Sequence, residues 1–257
     1  WNLATYITDG VTTTYQKTGL TQGVSYDFMV RFVSGSVISS VGEVVSAEMV
    51  APAILDGNTV AWFDYETETT ITKDGSNLVS QWNDKLGSGH DLIQATGSKQ
   101  PLHQSTGVLF DGSDDFMKTA TFELEQPTFI YAVLRQKTFT ASRYLFDGFT
   151  NASGALYQTG SSPNLNAYAG TAMDSSAASI DTFVIVRILF NGEESRFAIN
   201  DKYSEKFNGG TLDMNGFTLG AYASGSNCGN IEVKEIIIRK VVDNAEDHRD
   251  IYNYLSA

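Results

Sequence analysis

The stretch Val108-Leu109-Phe110-Asp111-Gly112-Ser113-Asp114-Asp115-Phe116-Met117 most constrains what this chain can become. An apolar run breaks at Asp-Gly, crosses a small acidic cluster and resumes as apolar. Asp-Gly followed by Ser-Asp-Asp supplies the left-handed and self-bonding conformations of a tight turn. The flanking runs read as two strands, so the stretch reads as a hairpin. The same grammar recurs downstream. In Thr128 to Leu134, Phe129, Tyr131 and Val133 oppose Ile130, Ala132 and Leu134. Thr182 to Phe190 is apolar on both faces except at Arg187, the mark of a central strand buried on both sides. Asn191-Gly192 then reads as a two-residue hairpin turn. Asn200-Asp201 and Asn208-Gly209-Gly210 are further turns.

The end of the chain changes period. Asp243, with Glu246 three residues later, reads as the cap of a helix in a capping box. Ile251, Tyr252 and Leu255 give that helix one apolar face, and His248 is expected at its surface. The expected fold class is all-β, a two-sheet antiparallel sandwich with one short C-terminal helix.

Charge and composition exclude several functions. Hydrophobic residues make up 42% and charged residues 18% of 257 residues, which places the chain among globular proteins. A net charge of −13 disfavours nucleic acid and anionic membranes as partners, and it makes a calcium site easier to fill. No run approaches the ~18 apolar residues of a membrane span, so no membrane insertion is expected. The lone Cys228 permits no intrachain disulfide and reads as a small filler near a turn.

Two families are resembled. Leu20, Gly23 and Tyr26, spaced by three, resemble the strand E to strand F corner of fibronectin type III domains. With strands expected at Thr12–Tyr15, Ser25–Val33 and Val41–Met49, residues 1–50 read as the C-terminal part of such an immunoglobulin-like sandwich. Its first strands are then expected upstream of Trp1. Residues 51–58, with Pro52 and Asp56-Gly57, read as a linker. Residues 59–257 carry a second set of signatures. These are Val60-Ala61-Trp62-Phe63-Asp64-Tyr65, Ser80-Gln81-Trp82-Asn83-Asp84, the Asp111 stretch, and a close of Gly229-Asn230-Ile231 through Glu235-Ile236. Together they resemble the laminin G-like, concanavalin A-like jelly rolls of phage and bacterial surface proteins. That resemblance implies a glycan or cell-surface receptor as partner, other subunits of a larger assembly, and an extracellular, virion or bacterial surface location.

Candidate chemistry follows from residue types. Asp111, Asp114 and Asp115 offer hard oxygens for Ca2+ on one turn; equally, turn carboxylates bond backbone amides. A retaining glycosidase needs two carboxylates about 5 Å apart. The Glu-x-Asp-x-Glu pattern of jelly-roll glucanases is absent, and the pairs Glu66/Glu68 and Glu123/Glu125 read as solvated surface, so no hydrolase activity is expected. His90, His103 and His248 lack ligand spacing. Sugar binding needs exposed rings plus amides and carboxylates. Phe149, Asn151, Tyr157, Asn164, Asn166, Tyr168 and Asp174 have that composition, within a Ser-, Gly-, Asn- and Tyr-rich segment read as recognition loops. Tyr222 and Asn227 lie in a second loop. The leading expectation is therefore a non-enzymatic recognition module. The alternatives are a structural spacer and an accessory carbohydrate-binding domain of a polysaccharide-degrading enzyme.

Overall fold

The computed structural model describes residues 53–256 except 174–175 and 201–205, together with four strand segments ahead of them. The chain divides into two units, residues 1–52 and 53–257. In the first, β1 (Ser25–Met29) pairs antiparallel with β4 (Val44–Glu48), and β2 (Val33–Ser34) with β3 (Val37–Ile38). The strand expected at Thr12–Tyr15 and the corner contacts of Leu20, Gly23 and Tyr26 lie outside the described residues.

Among the described residues the second unit runs through sixteen strands and a helix. They are β5 (Thr59–Asp64), β6 (Ile71–Lys73), β7 (Val79–Trp82), β8 (Leu92–Ile93), β9 (Leu102–Gln104), β10 (Gly107–Asp111), β11 (Met117–Lys118) and β12 (Thr128–Gln136). There follow β13 (Tyr144–Gly148), β14 (Ala155–Thr159), β15 (Asn164–Tyr168), β16 (Ser176–Ala177), β17 (Val184–Phe190), β18 (Arg196–Ile199), β19 (Phe217–Leu219), β20 (Asn230–Arg239) and helix α1 (Ala245–Leu255). They form two antiparallel sheets. A seven-stranded sheet has the order β18-β17-β12-β20-β10-β9, and β5 also pairs with β20, end to end with β10. A nine-stranded sheet has the order β16-β15-β14-β13-β19-β11-β8-β7-β6.

Strand alternation explains the layering. Ile130, Ala132 and Leu134 of β12 enter the main core between the sheets, with Val186, Ile188, Ile236 and Ile238 beside them. Phe129 and Tyr131 point the other way, into a second cluster with Trp62, Leu189, Ile237 and Ile54, which Ile251 of α1 covers. β17 is therefore buried along its whole length, as its two-sided apolar pattern requires. Each large side chain so buried contributes roughly 1.5–3 kcal/mol.

Polar groups fasten α1 to the sheet. The Tyr131 hydroxyl donates to Asp243 Oδ2 (2.7 Å), and Arg239 Nε donates to Asp243 Oδ1 (2.9 Å). Arg187 Nη1 meets His248 Nε2 at 2.6 Å. A guanidinium can only donate, so Nε2 accepts, and Nδ1 carries the proton that reaches the Tyr131 hydroxyl oxygen at 3.0 Å. Burial, with the Arg187 charge alongside, depresses the His248 pKa to about 4 and keeps the ring neutral.

Three local expectations are corrected here. His248 is buried at 7% exposure rather than on the surface. The helix cap is Asn244, whose side chain accepts from the Glu246 and Asp247 amides, because Asp243 is drawn into the sheet by Arg239 and Tyr131. Asn191-Gly192 is not a two-residue turn: a 3-10 turn, Gly192–Glu194, lengthens the connection, and Leu189 pairs with Arg196.

The Asp111 stretch also differs from a hairpin. β10 lies in the seven-stranded sheet and β11 in the nine-stranded one, so the turn arches between the layers. Phe110 and Met117 both reach the main core from opposite sheets. Gly220, just after β19, has φ +87, and a Cβ there would collide with the Phe110 ring.

Candidate functional site

β13, β14 and β15 are neighbours, and their register places Tyr144 opposite Tyr157 and Tyr157 opposite Asn166. Leu156, Leu165 and Ala167 occupy the alternate positions and point into the core, so Tyr157, Asn166 and Tyr168 face outward. The Tyr144 and Tyr157 rings stack at 5.3 Å with planes 24° apart. Tyr222, from the loop after β19, packs on Tyr144 at 4.6 Å and 51°. All four tyrosines are half-buried. None of their hydroxyls has a hydrogen-bond partner among the described residues. The Asn166 side-chain oxygen is buried and likewise without a partner. The result is an aromatic floor with a tyrosine wall, set with polar groups that are free to bond a ligand.

One buried carboxylate sets the wall. Asp147, at the end of β13, is 0% exposed and accepts from four backbone amides. They are Gly148 (2.8 Å), Ala152 (2.9 Å), Ser153 (3.1 Å) and Ala223 (3.2 Å). Two loops are thus drawn to one side chain, and Tyr222 precedes one of its ligands. Burial pushes the Asp147 carboxyl up to about 6 against the pull of these amides. Lys118 Nζ repeats the clamp, donating to the carbonyls of Phe149 (2.8 Å) and Ala223 (2.9 Å). Burial raises the Tyr144 pKa to about 12, with Tyr222 and Asp147 adding to it, and raises that of Tyr222 as well. The hydroxyls therefore stay protonated at neutral pH.

The structure gathers Tyr157, Asn166, Tyr168 and Tyr222 on this face, out of the residues singled out by sequence. Phe149 is instead the ring under the Lys118 ammonium, at 4.0 Å, and Asn151 is exposed in the loop tied to Asp147. Asp174 lies outside the described residues. Tyr144 was missed because it precedes Leu145-Phe146 and reads as part of an apolar strand. The segment expected as recognition loops is largely sheet: β14 and β15 pair across its middle.

The Asp111, Asp114 and Asp115 carboxylates bring oxygens within 4.8 Å of one another. An all-oxygen set suits a hard cation such as Ca2+, which takes six to eight oxygens at about 2.3–2.6 Å. Two of the three also serve the arch: Asp115 Oδ2 accepts from the Asp111 amide (3.0 Å) and Asp111 Oδ1 from the Ser113 amide (2.7 Å). Burial lifts the Asp115 carboxyl to about 6. Beside this arch, Asp111, Arg143, Gln158 and Cys228 help line a polar cavity of about 80 Å³. The Cys228 thiol is buried, and burial raises its pKa to about 11, which makes it a poor nucleophile.

A second carboxylate pair lies on the outer face of the seven-stranded sheet. Asp64 of β5 and Glu235 of β20 stand directly opposite in register. Asp64 is bonded by Lys85 Nζ (2.7 Å) and the Thr67 hydroxyl (2.6 Å); burial raises it, but these bonds prevail and hold it below the ordinary carboxylate range. Burial pushes Glu235 up to about 7, although Trp62 Nε1 donates to it at 2.7 Å. Glu66, Glu68, Glu123 and Glu125 are exposed.

No family model matches the chain, and no curated protein matches it in sequence. Solved structures do match in fold. The Trypanosoma rangeli sialidase in complex with sialic acid superposes with a TM-score of 0.59 at 11% identity, covering 80% of this chain and 35% of that one. A mutant of the same sialidase displaying trans-sialidase activity gives 0.59 at 11%, covering 79% and 34%. A GH54 α-L-arabinofuranosidase soaked with a cyclic sulfate inhibitor gives 0.53 at 13%, covering 68% and 50%. At such identities the likeness is one of fold, and this chain spans about a third to a half of those chains. These matches run against the expectation of a non-enzymatic recognition module with no hydrolase activity: the matched chains named here are a sialidase and an arabinofuranosidase, which favours the enzyme-associated alternative.

Proposed function

We propose that the sandwich is the accessory carbohydrate-binding domain of a polysaccharide-processing enzyme, and that the face of Tyr144, Tyr157, Asn166, Tyr168 and Tyr222 contacts the sugar. We also place it, on its sequence signatures, among the laminin G-like jelly rolls, and outside the cell, where polysaccharide is met. The observation that carries the reading is the buried, unpartnered Asn166 oxygen amid four half-buried tyrosines with free hydroxyls. Pyranose and furanose rings present apolar C–H faces and hydroxyl edges, and such a floor matches both.

The test is calorimetric titration of neutral oligosaccharides into the parent chain and into Tyr157→Ala and Tyr168→Ala. Each substitution should weaken binding by roughly 1–3 kcal/mol, with the circular dichroism spectrum unchanged. If no oligosaccharide binds the parent, or if both variants bind like it, the face is not the sugar site. Reducing ends released by a longer protein carrying this chain would establish the enzymatic context.

A further inference from the structure

We infer that the polar cavity beside the Asp111 arch is a second sugar subsite, one that holds the hydroxyl edge of a single sugar unit. The inference rests on the carbohydrate-binding reading above, but not on the tyrosine face. The cavity lies between the layers. Asp111 of β10 and Asn230 of β20 reach it from the seven-stranded sheet. Gln158 of β14 and Arg143, just ahead of β13, reach it from the side of the nine-stranded one. Gln158 is buried at 1% exposure and is spent on the wall. Its amide donates to Gln136 Oε1 (2.7 Å) and to the Thr138 carbonyl (2.6 Å), and its oxygen accepts from the Thr140 amide (3.0 Å). These bonds hold residues 138–140 in place as the rim.

The other lining groups are uncommitted. The Arg143 guanidinium, the Asn230 amide and the Thr138 and Thr140 hydroxyls have no hydrogen-bond partner among the described residues. Asp111 spends Oδ1 on the Ser113 amide and keeps Oδ2. One small space thus holds a donor-only fork, an acceptor-only carboxylate, and an amide and two hydroxyls that do both. A simple anion would meet Asp111 there, and a simple cation would meet Arg143. Paired sugar hydroxyls suit both at once, since each accepts from the guanidinium and donates to the carboxylate. Volume sets what enters. About 80 Å³ holds several waters, each needing roughly 10–15 Å³. That admits two adjacent hydroxyls with their carbons and leaves the rest of the ring outside. The segments that build the cavity also build the face: Arg143 precedes Tyr144, Gln158 follows Tyr157, and Cys228 lies in the loop of Tyr222. Shared strands therefore hold the two subsites in fixed relation.

The experiment titrates mono- and trisaccharides of arabinose, xylose, glucose and galactose into the full chain by calorimetry. The side-chain nitrogen–proton signals of Arg143 and Asn230 are followed by magnetic resonance in parallel. Arg143→Gln is expected to weaken binding roughly tenfold or more, and Asn230→Ala roughly threefold or more, with the circular dichroism spectrum unchanged. In the parent both signals should shift with the Kd that calorimetry gives. Where Arg143→Gln fails to fold, Asn230→Ala and the parent's two signals decide. Binding that is lost in Tyr157→Ala, yet ignores both cavity variants and leaves both signals still, overturns the subsite and keeps the face. The reverse pattern upholds the subsite and overturns the face. No binding of any of these sugars overturns both.

Discussion

Glu235 makes the folded state lose stability as pH rises from the acid range to neutrality. Its carboxyl stands at about 7 in the folded chain, against an ordinary value of 4.5, because burial removes it from water and outweighs the pull of the Trp62 bond. Between those two pH values the folded state holds a proton that the unfolded state has released. Stability therefore falls as pH rises from 4.5 to 7, by about 1.4 kcal/mol per pH unit, and levels off above. The full loss is about 3 kcal/mol. Asp147 and Asp115, each raised to about 6, act in the same direction, while His248, lowered to about 4, costs stability as pH falls below 6.5. A single pH profile would mix all four. Glu235→Gln isolates one, since glutamine mimics the neutral acid and does not titrate. Urea unfolding of parent and variant at pH 4.5 to 8 gives the difference directly. The variant should match the parent at pH 4.5 and exceed it by about 3 kcal/mol at pH 8. Two profiles that run parallel across that range would refute the reasoning.

Two further substitutions probe the frame. Tyr131→Phe strips a hydroxyl that bonds both Asp243 and His248, and should cost about 1–3 kcal/mol in denaturant unfolding; a loss within error would mean that water replaces it. Gly220→Ala demands a left-handed residue and drives a methyl into Phe110, so the melting temperature should fall by many degrees, on the order of 2–4 kcal/mol; an unchanged melt would show that β19 and Phe110 shift apart freely.

Much of the layering was legible because it depends on local period. The two-sided apolar run ending at Phe190 gave β17, and the alternation of Phe129 to Leu134 separated the two cores correctly. What sequence could not supply was pairing over distance. The Asp111 stretch has the turn chemistry of a hairpin, and nothing local says that its strands belong to different sheets. Asp243 and Asn244 are both good helix caps, and the choice is made by Arg239 on the preceding strand. The same holds at the candidate site. Tyr157, Asn166 and Tyr168 could be picked by composition, whereas Tyr144 and Asp147 acquire their roles only through register and through loops that converge on one carboxylate. The likeness in fold to a sialidase and an arabinofuranosidase came only from comparing structures, since the missing Glu-x-Asp-x-Glu pattern spoke only to one kind of catalytic strand.

The position of β20 has a consequence for biosynthesis. It follows β5, β10 and β12 in the chain, yet all three hydrogen-bond to it. Asp64 meets its partner Glu235 only after all the strands between them have left the ribosome. Until then β5 and β10 have an open side, and the main core lacks Ile231, Val233, Ile236 and Ile238. Such distant pairing slows folding and leaves apolar strands bare while synthesis continues. A premature stop anywhere before Asn230 would therefore release a product with no central strand to zip its first half to its second, fated for aggregation or proteolysis rather than for a shorter domain.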